Sequence, residues 1–309
     1  ADQLVMLMER IYQYGMTTTS GGNLSILDEN GDIWITPGSV DKGSLSRKDI
    51  IQVKPDGTVI GIHKPSSEFP VHERIYRARP DIRAILHAHP PALVAFSIVR
   101  KIPETRLIPN FVEICGNVSI APYDVPGSTG LSIKVTNEFQ KGNNVVMLEN
   151  HGVFVGAFDL FKAFMSFETL DYCARLQIEA SKIGSIRPLS DRYIQISKEK
   201  QHVEMDEFVN KSVSSEEREA RREMCTLIKR AYDQQLFTST QGTFSQRLSD
   251  GSFLITPYFK DRKYMEESDL VRIVGDWKEA GKIPSRSAVL HKKIYEKHPD
   301  INSIIIAHA

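Results

Sequence analysis

Cysteine is scarce in this chain, with three among 309 residues. The three stand far apart, at Cys115, Cys173 and Cys225, and their number is odd. Small disulfide-stapled domains carry dense and even sets of cysteines, so this pattern excludes a disulfide framework. Free thiols are typical of a reducing compartment, and the sequence therefore predicts a cytoplasmic protein.

Net charge is also missing, because 39 lysines and arginines balance 39 aspartates and glutamates. No basic block stands out, which argues against nucleic acid as a partner. The longest apolar runs, such as Val145 to Leu148, are far too short to cross a bilayer, and the N-terminus has no signal-peptide pattern. With 41% hydrophobic and 25% charged residues, the composition suits a globular protein of about two domains with no membrane partner.

The chain contains an internal repeat. Gly22-Asn23-Leu24-Ser25 returns as Gly242-Thr243-Phe244-Ser245, at an offset of 220 residues, and His72 to Tyr76 matches His291 to Tyr295 at an offset of 219. We predict two copies of one domain, residues 1–200 and residues 215–309, joined by a polar linker over residues 184–215. The second copy stops about halfway through the unit, so we expect either that the natural chain continues for about another hundred residues or that the rest of the unit is disordered or absent.

Hydrophobic spacing and turn residues predict the elements of the first copy. We expect helices over residues 2–14 and 69–78, and a long amphipathic helix from an Asp159 N-cap to just before Gly184. Ile82, Ala84 and Leu86 are expected on one face of a strand. The predicted strands cover residues 23–27, 32–36, 50–54, 59–62, 82–89, 145–148 and 153–155. Hairpins with helices between them indicate a mixed α/β layered domain rather than a parallel Rossmann sheet.

Three histidines form the candidate metal site. His87 and His89 lie two residues apart on a predicted strand, so their side chains point to one face about 7 Å apart. His151 lies in a tight turn between two other strands. Three imidazoles with an open fourth position are typical of catalytic zinc, although imidazole also suits iron, cobalt and nickel. The alternative is that these are ordinary core or surface histidines, since spacing alone does not bring His151 to the pair.

Two further segments suit an anion. Pro65-Ser66-Ser67-Glu68 stands just before a predicted helix, where hydroxyls and free backbone amides can bind a phosphate. A routine helix cap is the alternative. Gly22-Asn23 either lets the backbone approach a phosphate closely or forms a plain turn.

Together these segments resemble the class II aldolase/adducin family over nearly all of residues 2–184. The matching pieces, in the family's order and spacing, are Ser20-Gly21-Gly22-Asn23-Leu24-Ser25, Ile35-Thr36-Pro37-Gly38, Pro65-Ser66-Ser67-Glu68, His87-Ala88-His89, Ala121-Pro122-Tyr123 and Asn150-His151-Gly152. The resemblance implies a three-layer α/β/α fold with a central, largely antiparallel sheet, repeated in tandem. Members are commonly cyclic homotetramers with active sites at subunit interfaces.

The resemblance also implies roles for single residues. His87, His89 and His151 would bind a divalent metal, usually zinc (Zn2+). Glu68 would be the acid/base, and it sometimes ligates the metal when substrate is absent. The positions that hold a substrate phosphate are Asn23, Gly38, Ser39, Ser66 and Ser67.

The function that follows is cleavage of a ketose 1-phosphate to dihydroxyacetone phosphate and an aldehyde, through a metal-stabilised enediolate. A carboxylate would move the proton, and a phosphate clamp would hold the substrate in register. Sugar-phosphate epimerases, a dehydratase and non-catalytic adducin-like scaffolds of the same family stay as alternatives. The epimerases have an aspartate where Asn117 aligns, and the fuculose-phosphate aldolases have a tyrosine near Ile108-Pro109, where this chain has none.

The second copy is predicted to have lost the chemistry. The aligned pairs are His89 with His308, His87 with Ile306, Glu68 with Ser287, Ser67 with Arg286 and Asn23 with Thr243. One histidine and a serine make a poor zinc site, so we predict one metal per two domains and a structural second copy that imitates a neighbouring subunit. The predicted partners are a small-molecule sugar phosphate and further copies of the chain, as a homo-oligomer or as a pseudo-oligomer through the tandem repeat.

Overall fold

The structure, a computed structural model, describes residues 1–199 and 204–307. The chain divides into a first unit, Ala1–Lys198, and a second unit, Glu199–Ala309. No helix within the described ranges is long and apolar enough to span a membrane.

A single eight-stranded sheet organises the first unit. Its strands are β1 (Asn23–Leu27), β2 (Ile33–Ile35), β3 (Ile51–Val53), β4 (Val59–Ile60), β5 (Ala84–Ala88), β6 (Val118–Ala121), β7 (Val145–Leu148) and β8 (Val153–Ala157). They lie in the order β4-β3-β2-β1-β5-β8-β7-β6. Only the pair of β6 and β7 is parallel among these eight strands. The strand β5 therefore lies in the interior of the sheet, between β1 and β8.

Helices cover both faces of this sheet. They are α1 (Asp2–Gln13), α2 (Phe69–Ala78), α3 (Pro91–Ile98), α4 (Pro109–Cys115), α5 (Thr129–Gln140), α6 (Leu160–Ile183) and α7 (Asp191–Glu199), with a short 3-10 helix at Arg47–Asp49. Apolar residues of α1, α3 and α6 form one buried cluster with one face of the strands. Residues of α2 and α5 form another with the opposite face. The predicted three-layer α/β/α fold is confirmed.

Several expectations about single elements need correction. Ile82 precedes β5 and packs with Ile85 in the cluster beneath α2, not with Ala84 and Leu86. The long helix does begin at an Asp159 cap, whose carboxylate accepts the backbone N–H of Lys162. It is not amphipathic, however, because residues on every side of it are buried in its first fifteen positions. The helices α3, α4 and α5 and the strand β6 were not predicted.

The second unit repeats the first part of this plan. Its elements are β9 (Asp206–Phe208), α8 (Ser215–Asp233), β10 (Thr243–Arg247), β11 (Phe253–Ile255), β12 (Val271–Val274), β13 (Trp277–Glu279), α9 (Ala288–Lys297) and β14 (Ser303–Ile306), with a 3-10 helix at Glu267–Asp269. They give a six-stranded sheet in the order β14-β10-β11-β12-β13-β9. The segment predicted as a polar linker thus includes α7 and β9. His308 and Ala309 lie outside the described residues.

Strand register shows how closely the two units correspond. Ser25 stands opposite Ile35 between β1 and β2, and Ser245 stands opposite Ile255 between β10 and β11. Isolated bridges join Pro37 to Pro65 in the first unit and Pro257 to Pro284 in the second. These pairs differ by the same 220 or 219 residues that the sequence repeat shows.

Candidate metal centre

Three histidines meet at the end of β5. His87 is the fourth residue of that strand and stands opposite Asn23 on β1 and Phe154 on β8. His89 follows the strand, and His151 lies in the tight turn between β7 and β8. Gly152 lets this turn approach β5, because a Cβ there would lie 2.5 Å from the backbone oxygen of Ala88. The turn therefore brings His151 next to His87 and His89, although it lies more than sixty residues after them in the sequence.

The imidazole nitrogens are close enough to share one cation. One nitrogen from each of His87, His89 and His151 lies within 4.8 Å of the other two. The Nε2 atoms of His87 and His89 are 3.0 Å apart. Two ligands at zinc–nitrogen distances and a tetrahedral angle would be about 3.4 Å apart. The three side chains fit a divalent metal with small adjustments.

His87 is oriented by its surroundings before any metal binds. Its Nδ1–H donates to the backbone oxygen of Val153 at 3.0 Å. Its ring stacks on Phe154 at a centroid distance of 4.1 Å, and the side chain is fully buried. A carbonyl can only accept, so Nδ1 carries a proton, and Nε2 is the nitrogen that faces the cluster and would bind a metal.

Glu68 is the acidic partner of this cluster. Its Oε2 lies 3.0 Å from Nε2 of His87 and accepts a 2.8 Å hydrogen bond from Nδ2 of Asn23. Its Oε1 lies 3.6 Å from Nε2 of His151. Burial acts to raise the pKa of Glu68, but the charge and hydrogen bond of His87, the amide of Asn23 and the charge of His151 together lower it. Glu68 is therefore a carboxylate at neutral pH.

Buried polar atoms without partners mark the same place. Among the described residues, Oε1 of Glu68 and Nδ1 of His151 are buried and make no hydrogen bond. Burial is the main cause that lowers the pKa of His89 to about 3 and that of His151 to about 4. Both rings are thus neutral at pH 7, which is the form that binds a metal. A buried carboxylate beside three imidazoles suits a cation.

The residues expected to hold a phosphate lie near Glu68. The backbone N–H of Gly38 donates to the backbone oxygen of Lys64, and a Cβ on Gly38 would lie 3.2 Å from the backbone oxygen of Pro65. The loop that carries Gly38 and Ser39 therefore touches the segment that carries Ser66 and Ser67. Ser39 and Ser67 are exposed. The hydroxyl of Ser66 accepts the backbone N–H of Glu68 at 3.3 Å, which is a local capping contact. In this state Asn23 contacts Glu68 and His72.

The sequence left three buried polar residues without a role. His72 is fully buried, and its Nδ1 lies 2.6 Å from the hydroxyl of Ser25. That hydroxyl also lies 2.7 Å from the hydroxyl of Tyr76. The signal that could have found them is the repeat itself, since the same three residue types recur in the second copy at matching positions.

The second unit keeps the framework and lacks the cluster. Ile306 stands opposite Thr243 between β14 and β10, which is the register that His87 and Asn23 have in the first unit. The hydroxyl of Thr243 contacts that of Ser285 at 2.8 Å. The structure finds no group of three potential metal ligands in the described part of this unit. The aligned position of His89 is His308, which lies outside the described residues.

Comparison with known proteins identifies the family of this chain. Residues 2–178 and 222–309 match the family described as Class II Aldolase and Adducin N-terminal domain. The chain is 31% identical over 193 residues to the 5-deoxy-D-ribulose 1-phosphate aldolase of Bacillus thuringiensis serovar kurstaki, covering 62% of this chain and 89% of that protein. It is 30% identical over 177 residues to the 3-oxo-tetronate 4-phosphate decarboxylase of Haemophilus influenzae, covering 56% and 84%. A solved L-fuculose 1-phosphate aldolase superposes with a TM-score of 0.57 at 30% identity, covering 64% of this chain and 94% of that one.

Proposed function

The chain belongs to the class II aldolase and adducin family and is a lyase-type enzyme, and from that premise we propose that it cleaves a ketose 1-phosphate to dihydroxyacetone phosphate and an aldehyde. The observation that carries this proposal is the convergence of His87, His89 and His151 on one point beside the Glu68 carboxylate. We place the active centre in the first unit, and we take the protein to be cytoplasmic because all three cysteines are free and buried.

The metal fits the residues present. The family is metal-dependent, and His87, His89 and His151 would hold one divalent cation, with zinc the first candidate for three imidazoles. When bound, such a cation supplies Lewis-acid stabilisation of negative charge on the substrate oxygens. His87 is prepared for this role by its bond to Val153, because that bond fixes which nitrogen faces the cluster.

Glu68 would move the proton. The carboxylate is held on one oxygen by Asn23 and His87, while its other oxygen makes no hydrogen bond within the described residues. That oxygen is free to take a proton from, or return one to, a substrate atom placed against it. In the state described here the pKa of Glu68 is lowered, so a bound substrate must weaken its pairing with His87 before the carboxylate acts as an effective base.

A phosphate would be held at the start of α2. Ser66 and Ser67 precede this helix, whose dipole favours an anion at its N-terminus. The loop of Gly38 and Ser39 lies against them, and Asn23 is hydrogen-bonded to Glu68. These five positions would hold the sugar phosphate and thus fix the carbon–carbon bond relative to the carboxylate.

The second unit would play a structural part. The positions of Asn23, Glu68 and His87 are taken there by Thr243, Ser287 and Ile306. We therefore infer one metal per chain. We further propose that the protein forms a homo-oligomer, or a pseudo-oligomer in which the second unit stands for a neighbouring subunit. The domains would be residues 1–200 and 215–309.

Decarboxylation is the second candidate, because one of the relatives named above is a 3-oxo-tetronate 4-phosphate decarboxylase. Loss of carbon dioxide in a decarboxylation and loss of an aldehyde in an aldol cleavage both leave negative charge on a carbon beside a carbonyl group. One site therefore suits both reactions. Epimerase, dehydratase and scaffold roles remain outcomes of the same assay.

The test is turnover by zinc-loaded protein against L-fuculose 1-phosphate, 5-deoxy-D-ribulose 1-phosphate and 3-oxo-tetronate 4-phosphate. Release of dihydroxyacetone phosphate is expected from a ketose 1-phosphate, and Glu68→Gln should lower kcat by about 100- to 10,000-fold. Glu73→Gln is the matched control, since Glu73 lies on the exposed side of α2 and pairs with Arg77. Release of carbon dioxide alone would favour the decarboxylase, and bound zinc with no turnover would favour a scaffold.

A further inference from the structure

A line of hydrogen bonds leads from the Glu68 carboxylate into the core. Nδ2 of Asn23 donates to Glu68 at 2.8 Å, and Oδ1 of the same amide lies 2.5 Å from Nε2 of His72. Nδ1 of His72 lies 2.6 Å from the hydroxyl of Ser25, which lies 2.7 Å from that of Tyr76. All five side chains are buried, so the whole line lies below the protein surface.

The chemistry of each group allows one proton arrangement along this line. A carboxylate only accepts, so Asn23 must turn its N–H groups toward Glu68 and its oxygen toward His72. That oxygen also only accepts, so Nε2 of His72 must carry the ring proton. Nδ1 then accepts from Ser25, and Ser25 accepts from Tyr76. A neutral ring is what burial dictates, because burial lowers the pKa of His72 to about 3.

The second unit provides an internal comparison. Ser245 contacts Nδ1 of His291 at 2.7 Å and the hydroxyl of Tyr295 at 2.7 Å, which repeats the arrangement of the first unit. Thr243 bonds to Ser285 instead, and Nε2 of His291 is buried without a partner. The contacts of serine, histidine and tyrosine are thus enough to fix a helix against a strand. The link from the histidine to an amide and on to a carboxylate is present only in the first unit, within the described residues.

We propose that His72 is a positioning residue, which fixes the Asn23 amide with its N–H groups toward Glu68 and the anion pocket. This inference rests on the proposed function of Glu68 and adds a residue that never touches substrate. Without the proton on Nε2 of His72, the amide is free to turn its oxygen toward the carboxylate, where the two oxygens repel each other. The carboxylate would then lose one of its two fixed partners and its alignment with the reacting atom.

The substitutions His72→Gln and His72→Asn separate the two links of this histidine. The amide nitrogen of glutamine reaches the place of Nε2 and keeps a donor toward Asn23, whereas asparagine reaches only the place of Nδ1, on the side of Ser25. We expect His72→Asn to lower kcat by about 10- to 100-fold and also to raise KM, since Asn23 is one of the phosphate positions, and we expect His72→Gln to restore most of the rate. His291→Asn in the second unit is the matched control, with a similar loss of melting temperature and no change in kcat.

A second readout does not depend on turnover. Long-range nitrogen–proton NMR on the zinc-loaded full chain reports which ring nitrogen of His72 carries the proton, and we expect Nε2. Nε2 protonation with no activity on any sugar phosphate would contradict the proposed function and leave the geometry of this inference supported. A proton on Nδ1, or equal kcat values for His72→Asn and His291→Asn in an active enzyme, would overturn the inference.

Discussion

Substitution of Gly22 by alanine should damage the metal centre from a distance. Gly22 precedes Asn23 and has a φ of 75°, where a residue with a Cβ costs about 1–2 kcal/mol. A Cβ there would also lie 2.8 Å from the backbone oxygen of His87 and 3.1 Å from the hydroxyl of Thr17. A strand backbone yields less readily than a side chain, so overpacking adds about 1–3 kcal/mol. The expected loss of stability is about 2–5 kcal/mol in total.

Gly57→Ala is the matched control for this change. Gly57 has a φ of 85° but no atom within 4 Å of a Cβ, so it should lose about 1–2 kcal/mol from backbone strain alone. Because the added Cβ would push on the backbone of His87, Gly22→Ala should also weaken zinc binding by about 10- to 100-fold, whereas Gly57→Ala should not.

Urea unfolding measures the stability term, and zinc competition titration measures the affinity. Each unit holds one of the two tryptophans, so a Trp277→Phe background leaves Trp34 as the reporter of the first unit. Equal urea midpoints for the two alanine variants, together with wild-type zinc affinity in Gly22→Ala, would refute this account of how β1 supports β5.

Two further predictions concern stability. His72 is neutral and buried, with a pKa lowered to about 3 against about 6.5 in the unfolded chain, so the stability that it contributes is present above pH 6.5 and is lost as pH falls toward 3. At pH 5 the loss of unfolding free energy from this group is about 2 kcal/mol. After treatment with a chelator, His72→Gln should therefore show a smaller difference between its urea midpoints at pH 7 and pH 5 than the wild-type protein shows. Asp159→Ala should cost about 1 kcal/mol in the same unfolding assay, because its carboxylate accepts the Lys162 N–H at 2.8 Å at the start of α6. Unchanged midpoints in Asp159→Ala would contradict that role.

Local patterns carried much of the fold of the first unit. The spacing of apolar residues between Phe69 and Ala78 predicted α2 with its observed bounds, and Asp159 predicted the start of α6. The strand β6 was missed because it forms no hairpin, since its parallel partner β7 lies more than twenty residues away. Ile82 was placed on the wrong face because the strand begins two residues after it, and alternation holds only within a strand.

Local patterns in the sequence also predicted part of the candidate site. His87 and His89 were predicted to share one strand, and their spacing alone indicated a common direction, although β5 ends at Ala88 and His89 follows it. The partners of His72 are 47 and 49 residues away, at Ser25 and Asn23, and no local pattern reports which side chains meet across that distance. The buried position of His72 follows from α2 packing on the sheet, which is a tertiary fact. Its recurrence as His291 was the available signal.

Metal content per chain tests the central claim most directly. After zinc loading and desalting, elemental analysis of the wild-type protein should give one zinc per chain, since the first unit brings three imidazoles together. His151→Asn should lose most of that zinc, while the control His298→Asn, on the exposed surface of the second unit, should keep it. Two zinc ions per chain, no zinc at all, or full retention in His151→Asn would contradict the assignment of the metal to His87, His89 and His151.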